Sequence, residues 1–180
     1  MFNPKEFMDH TEAHAWINRE DTVARSDRIA RLEWLASNYP SSDSGFVLNG
    51  GWLSDRLLEE AKYCFAYGQF LATSVLGVAF IERVLAARFY ASGRDDLERA
   101  GGFDLLREAL KQGWLSQEEF DHLDRVRRLR NPIVHFRRPL APDTIEHRAV
   151  ADHAHPDELT EGDAQLVLKG VFHVLRGSAI

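Results

Sequence analysis

One stretch, Asp124 to Pro139 (DRVRRLRNPIVHFRRP), gathers the residue types that could do chemistry. Arg130 and His135 stand with four residues between them, among six arginines (Arg125, Arg127, Arg128, Arg130, Arg137 and Arg138) and with no acid after Asp124. A guanidinium is a permanent cation whose planar fork of donors suits a phosphate, and an imidazole takes or gives a proton near neutral pH. Together they suit the cleavage of a phosphodiester.

The elements that must position this pair follow from periodicity. Ser116 and Glu119 have the spacing of a capping box, so a helix is predicted from Gln117, with Phe120, Leu123, Val126 and Leu129 inward and the arginines at its far end. Upstream, the apolar residues from Ser54 to about Ala91 recur at helical spacing without a proline, which predicts one long helix or two joined near Gly68. Phe103 to Gln112 reads as a shorter helix closed by Gly113. Asp21 to Ser37 suits an amphipathic helix carrying Val23, Ile29, Leu32, Trp34 and Leu35, and ends before Tyr39-Pro40. Ser41 to Gly45 and Asn49 to Gly51 read as loop. Pro139 to Pro156 holds three prolines and reads as irregular, until Thr160 with Asp163 signals a last helix through Leu175. No strand-like alternation is present. The expectation is an all-α fold, a bundle of four or five helices over residues 51–180 with a helical N-terminal arm over residues 1–50.

On its own helix Arg130 falls between the directions of Leu123 and Val126, inside the apolar stripe. A cation there needs a carboxylate, a wet cleft or a subunit seam, and Glu82 on the long helix is a candidate partner. In a straight helix His135 would lie about 140° around from Arg130, too far to share one phosphate. Pro132 is expected to change this by kinking the chain, with Asn131 capping a new turn that contains His135. The plainer alternative is an arginine-rich helix terminus facing its own dipole, with RNP as a stop signal.

The segment RLRNPIVH, preceded by a capped helix and a long apolar helix, resembles the HEPN superfamily, whose signature is an arginine, four to six residues, then a histidine, often with a polar residue just after the arginine. Arg130, Asn131 and His135 match it, and the likeness extends in pattern from about Leu57 to His135. The resemblance implies an all-α HEPN-like bundle that commonly dimerises and, in many members, a metal-independent endoribonuclease of toxin–antitoxin, antiphage or RNA-processing systems. Its partners would be RNA, a second copy of the chain and a cognate antitoxin protein. Arg130 would stabilise phosphate charge, His135 would move the proton and Asn131 would orient His135 or a phosphate oxygen. Arg127, Arg128, Arg137 and Arg138 would hold the RNA backbone. Some HEPN proteins instead bind RNA or nucleotides, or act as partners, without cleaving. Residues 1–50 have no recognised counterpart.

Composition narrows the remaining classes. The chain has 180 residues, 44% hydrophobic and 28% charged, which suits a soluble globular domain. A net charge of −6 argues against general coating of nucleic acid and leaves room for a local basic patch. With Cys64 as the single cysteine there is no internal disulfide, and Cys64 reads as a core thiol in a reducing compartment. Met1 to Asp21 carries no secretion signal, so a cytoplasmic location is expected. Cys64 to Ile81 runs 18 residues without a formal charge, near the lower limit for a membrane span, yet reads better as a buried bundle helix. His10 and His14, four apart, would share a helix face as some zinc ligands do but lack further ligands at motif spacing, and His147, His153 and His155 with Asp143, Asp152 and Asp157 could hold a metal but read better as an exposed loop, so no metal and no cofactor are expected. Trp34 and Trp114 read as packing residues, and no phosphate-binding glycine loop is present.

Overall fold

The computed structural model describes residues 10–41, 46 and 49–177. Among them every regular element is helical: α1 (His10–Asn38), α2 (Gly51–Ala66), α3 (Phe70–Ala91), a short 3-10 turn (Asp95–Leu97), α4 (Gly102–Lys111), α5 (Gln117–Val134), α6 (Ile145–Asp152) and α7 (Pro156–Arg176). The all-α class is therefore established. The chain divides into two compact units, Met1–Ser37 and Asn38–Ile180. Tyr39 belongs with the second unit, its ring edge-on to Phe172 at 5.4 Å and under Lys62 Nζ at 4.8 Å.

In the first unit, α1 begins at His10, well before the expected Asp21. Between Thr11 and Asn38 there is no proline or glycine to interrupt it. Arg28 Nη2 reaches back to Asp21 Oδ1 at 2.9 Å, and the Thr22 hydroxyl donates to the Asn18 carbonyl at 2.8 Å. Val23, Ile29 and Leu32 of the predicted apolar face stay exposed.

In the second unit, α2 and α3 are separate helices. They are joined through Gly68, whose φ of 74° is open to glycine without penalty. The Gln69 N–H closes the turn on the Cys64 carbonyl at 2.8 Å. Asn49 and Gly50 form the turn before α2, while the Ser42 to Gly45 part of the predicted loop lies outside the described residues. The α3 helix is central, packed by α2, α4, α5 and α7, with Phe65, Phe80, Phe89 and Phe172 fully buried around it. Among the described residues it alone is long and apolar enough to cross a membrane, and half of it is buried inside the bundle. A glycine permits its close approach to α7: a Cβ at Gly77 would lie 2.5 Å from Val167 Cγ1.

The α5 helix opens with the predicted capping box: the Ser116 N–H donates to Glu119 Oε2 at 2.6 Å and the Glu119 N–H to Ser116 Oγ at 3.3 Å. Leu123 and Val126 are buried. Two later elements also depart from expectation. Pro139 to Pro156 is not irregular throughout, because Thr144 caps α6 by accepting from the His147 N–H at 3.3 Å. Arg148 then clamps α6 to α7 through a fork on Asp163, at 2.6 and 2.9 Å. The last helix starts at Pro156 rather than near Thr160, with Pro156 in the first turn, where its missing N–H is harmless.

Candidate functional site

Of the arginines predicted to hold phosphate, two are anchored within the protein. Asp124 is buried, its side chain only 7% exposed, and accepts Arg127 Nε at 2.9 Å and Nη2 at 2.7 Å. Arg128 pairs with the other oxygen of the same carboxylate. The single acid in the basic stretch thus engages both guanidiniums one turn above it. Arg127 also lies over the Phe103 ring, 5.5 Å from its centroid, while the Arg128 side chain remains 68% exposed.

Arg130 points into the seam between α5 and α3, where its Nη2 lies 3.2 Å from Glu82 Oε2; each side chain is 27% exposed. The other Glu82 oxygen lies against Gly102 at the start of α4, where a Cβ would overlap it. A glycine at 102 therefore makes the room that Glu82 needs to reach α5. Three helices meet at this ion pair.

The helix does not restart at Pro132. Helix α5 continues through Pro132 to Val134, and His135 is its C-terminal cap, with extended backbone and its N–H donated to the Asn131 carbonyl at 3.0 Å. So near a helix end a proline forgoes one hydrogen bond, to the Arg128 carbonyl, and the following turn can still close. Asn131 is thus an interior residue of the last turn and does not cap a new helix. The change of direction occurs three residues later, at His135. Arg130 and His135 stand about 7.5 Å apart along the axis, one facing the bundle and one at its rim.

Beyond the helix, His135, Phe136, Arg137 and Arg138 are all exposed. Phe136 is 87% exposed, more than any other large apolar side chain described. Among the described residues the His135 imidazole has no protein hydrogen-bond partner, and Arg125, Arg137 and Arg138 have no carboxylate. The motif is therefore split into two parts: an anchored set (Arg127, Arg128, Arg130) on the helix and an unencumbered set (His135, Arg137, Arg138) just past its end.

Elsewhere, no group of three or more His, Cys, Asp or Glu side chains converges among the described residues. His147 sits on α6 and His153 caps its end, while the His10 side chain lies outside the described residues. Cys64 is only half-buried, its thiol pushed up by partial burial and by Glu60, and does not belong to the core. Trp114 does pack, stacked on Phe89 at 4.4 Å with the Arg88 guanidinium 4.2 Å from its ring centroid.

Sequence reasoning missed a cleft between the start of α5 and the end of α7, lined by His122, Lys169, His173 and Arg176 among others. Lys169, His173 and Arg176 have the i, i+4, i+7 spacing of one helix face, which was visible. That α5 would pack antiparallel to this face was not. Compared with models of protein families, with curated proteins and with solved structures, the chain matches none.

Proposed function

We propose that the chain is a HEPN-type endoribonuclease that cleaves RNA without a metal ion, as a dimer with a composite site. The observation that carries this reading is the exposed imidazole of His135, without a partner among the described residues, at the end of the helix that holds Arg130, followed by two exposed cations, Arg137 and Arg138. Such cleavage requires that the ribose 2′-hydroxyl lose a proton as it attacks phosphorus and that the leaving 5′-oxygen gain one. One imidazole serves one of those steps at a time. A two-fold axis beside His135 supplies the second from the other copy.

In this reading Arg130, held in place by Glu82, offers its remaining donors to the phosphate as charge grows on it. Asn131, in the same helical turn, orients the phosphate. Arg137 and Arg138 grip the backbone without reading bases. Arg128 joins them by swinging off Asp124, whereas Arg127, doubly bonded and more enclosed, stays structural. A toxin or defence effector in the cytoplasm, restrained by an antitoxin partner, is the setting this activity fits.

The test is to incubate single-stranded RNA with the protein in EDTA and analyse the ends. Cyclic 2′,3′-phosphate and 5′-hydroxyl ends, with a dimeric mass by light scattering, are expected; 3′-hydroxyl ends or dependence on a divalent ion would overturn the mechanism. A second reading draws on the Glu82–Arg130 ion pair itself. A guanidinium already satisfied by a carboxylate suits a non-cleaving module that binds RNA or nucleotides, in which Arg130 is structural. Salt-sensitive RNA binding without products would select it.

A further inference from the structure

The cleft between α5 and α7 collects basic side chains from two helices that run antiparallel, as shown by Glu119 beside His173 and by Leu123 and Val126 beside Gly170. It measures about 380 Å³, within the range of small-ligand sites. Lys169 and Arg176 line it as exposed cations with no carboxylate partner among the described residues. His122, half-buried, turns its ring to the same space without a hydrogen-bond partner there. The fourth basic group, His173, is held by Glu119, with Nε2 to Oε1 at 3.2 Å. That carboxylate is already engaged at its other oxygen by the Ser116 N–H.

Many described cations of this acidic chain have a carboxylate within reach: Arg56 has Glu60, Lys62 has Glu59, Arg107 has Asp104 and Lys111 has Glu108. In the cleft, two cations and an imidazole converge with only the exposed Glu118 left uncommitted. The neighbouring charges that act on His122 are positive, although Glu118 and Glu119 also line the cleft. His122 is held below the ordinary imidazole range by burial and then by His173, Arg125 and Lys169. Side chains that repel a proton in this way attract an anion.

We infer that the cleft between α5 and α7 is a binding site for a terminal phosphate monoester, gripped by Lys169 and Arg176 and completed by a hydrogen bond from His122. A dianion matches the two unpaired cations, whereas a single carboxylate would leave one unsatisfied. Two sources carry this group, a free mononucleotide and the 5′-phosphorylated end of an RNA strand. The site uses none of the residues assigned to cleavage, so it stands or falls separately from the ribonuclease reading.

The experiment is calorimetric titration of the full chain with inorganic phosphate, AMP, adenosine, and the same short oligoribonucleotide bearing either a 5′-phosphate or a 5′-hydroxyl. Binding is expected for phosphate and AMP but not adenosine. The phosphorylated strand should bind more tightly than its hydroxyl counterpart if strand ends are the source, and no more tightly than AMP if free nucleotides are. Lys169→Gln with Arg176→Gln should weaken AMP binding about tenfold or more, while His135→Ala leaves it unchanged. Both substituted side chains are exposed, so the fold is retained, as circular dichroism will check, and His122→Gln provides a third, milder loss. No AMP binding at millimolar concentration, or binding unmoved by the double variant, would overturn the inference. In that case Arg176 only balances the dipole at the end of α7 and Lys169 is a solvated surface charge.

Discussion

Arg130 on α5 and Glu82 on α3 are 48 residues apart in sequence and 3.2 Å apart in space, each roughly three-quarters hidden from solvent. The pair ties the helix that carries the motif to the central helix of the bundle. Its two possible meanings, structural clamp and aimed catalytic guanidinium, predict different variants. Arg130→Lys keeps the charge but loses the planar fork. The expected result is a fall in RNA cleavage of about a hundredfold or more, with a loss of stability of only about 1 kcal/mol. A Tm drop without any change in cleavage would make Arg130 purely structural.

Gly77 tests the contact between α3 and α7. Gly77→Ala places a methyl group 2.5 Å from Val167 Cγ1 in a fully packed region. Overpacking of this kind costs about 1–3 kcal/mol and outweighs the gain of up to about 1 kcal/mol in helix propensity. Thermal unfolding should fall by several degrees, and Gly77→Ala combined with Val167→Ala should recover part of the loss.

The start of α5 rests on the Ser116–Glu119 box. Hydrogen bonds from Ser116 hold the Glu119 carboxyl below its ordinary range, with a smaller contribution from His173. Ser116→Ala should destabilise by about 1 kcal/mol, read as a shift in the denaturation midpoint with unchanged slope.

His122 sets a pH response. Its imidazole is held below the ordinary value by burial and by the nearby His173, Arg125 and Lys169, so the unfolded chain binds its proton more readily than the folded one. The associated stability is fully present above about pH 6.5 and is lost as pH falls toward the lower folded value. Tm should therefore drop between about pH 7 and pH 5, and His122→Gln should flatten that part of the profile. An identical profile in the variant would assign the acid sensitivity to other groups.

Helix positions were legible where periodicity and punctuation agreed. The capping box at Ser116, the break at Gly68 and the stop at Gly113 each rest on a local rule that tertiary packing does not alter. Two local rules misled. Pro139 and Pro142 hid α6, whose Thr144 cap is a single residue and whose docking depends on Arg148 meeting Asp163 in another helix. Pro132 suggested a new helical turn, whereas α5 runs through it to Val134. At the candidate site, residue types were readable but their commitments were not. That Asp124 would be buried and engage both Arg127 and Arg128 follows from which face of α5 meets the bundle, a property of the assembled helices.

The claim that His135 is the proton-moving group of a metal-free ribonuclease has one direct measurement: cleavage of single-stranded RNA in EDTA by the wild-type chain and by His135→Ala at matched folded concentration. The reading predicts cleavage by the wild type and a loss of about a hundredfold or more in the variant. Equal cleavage by both, or none by either, would contradict it.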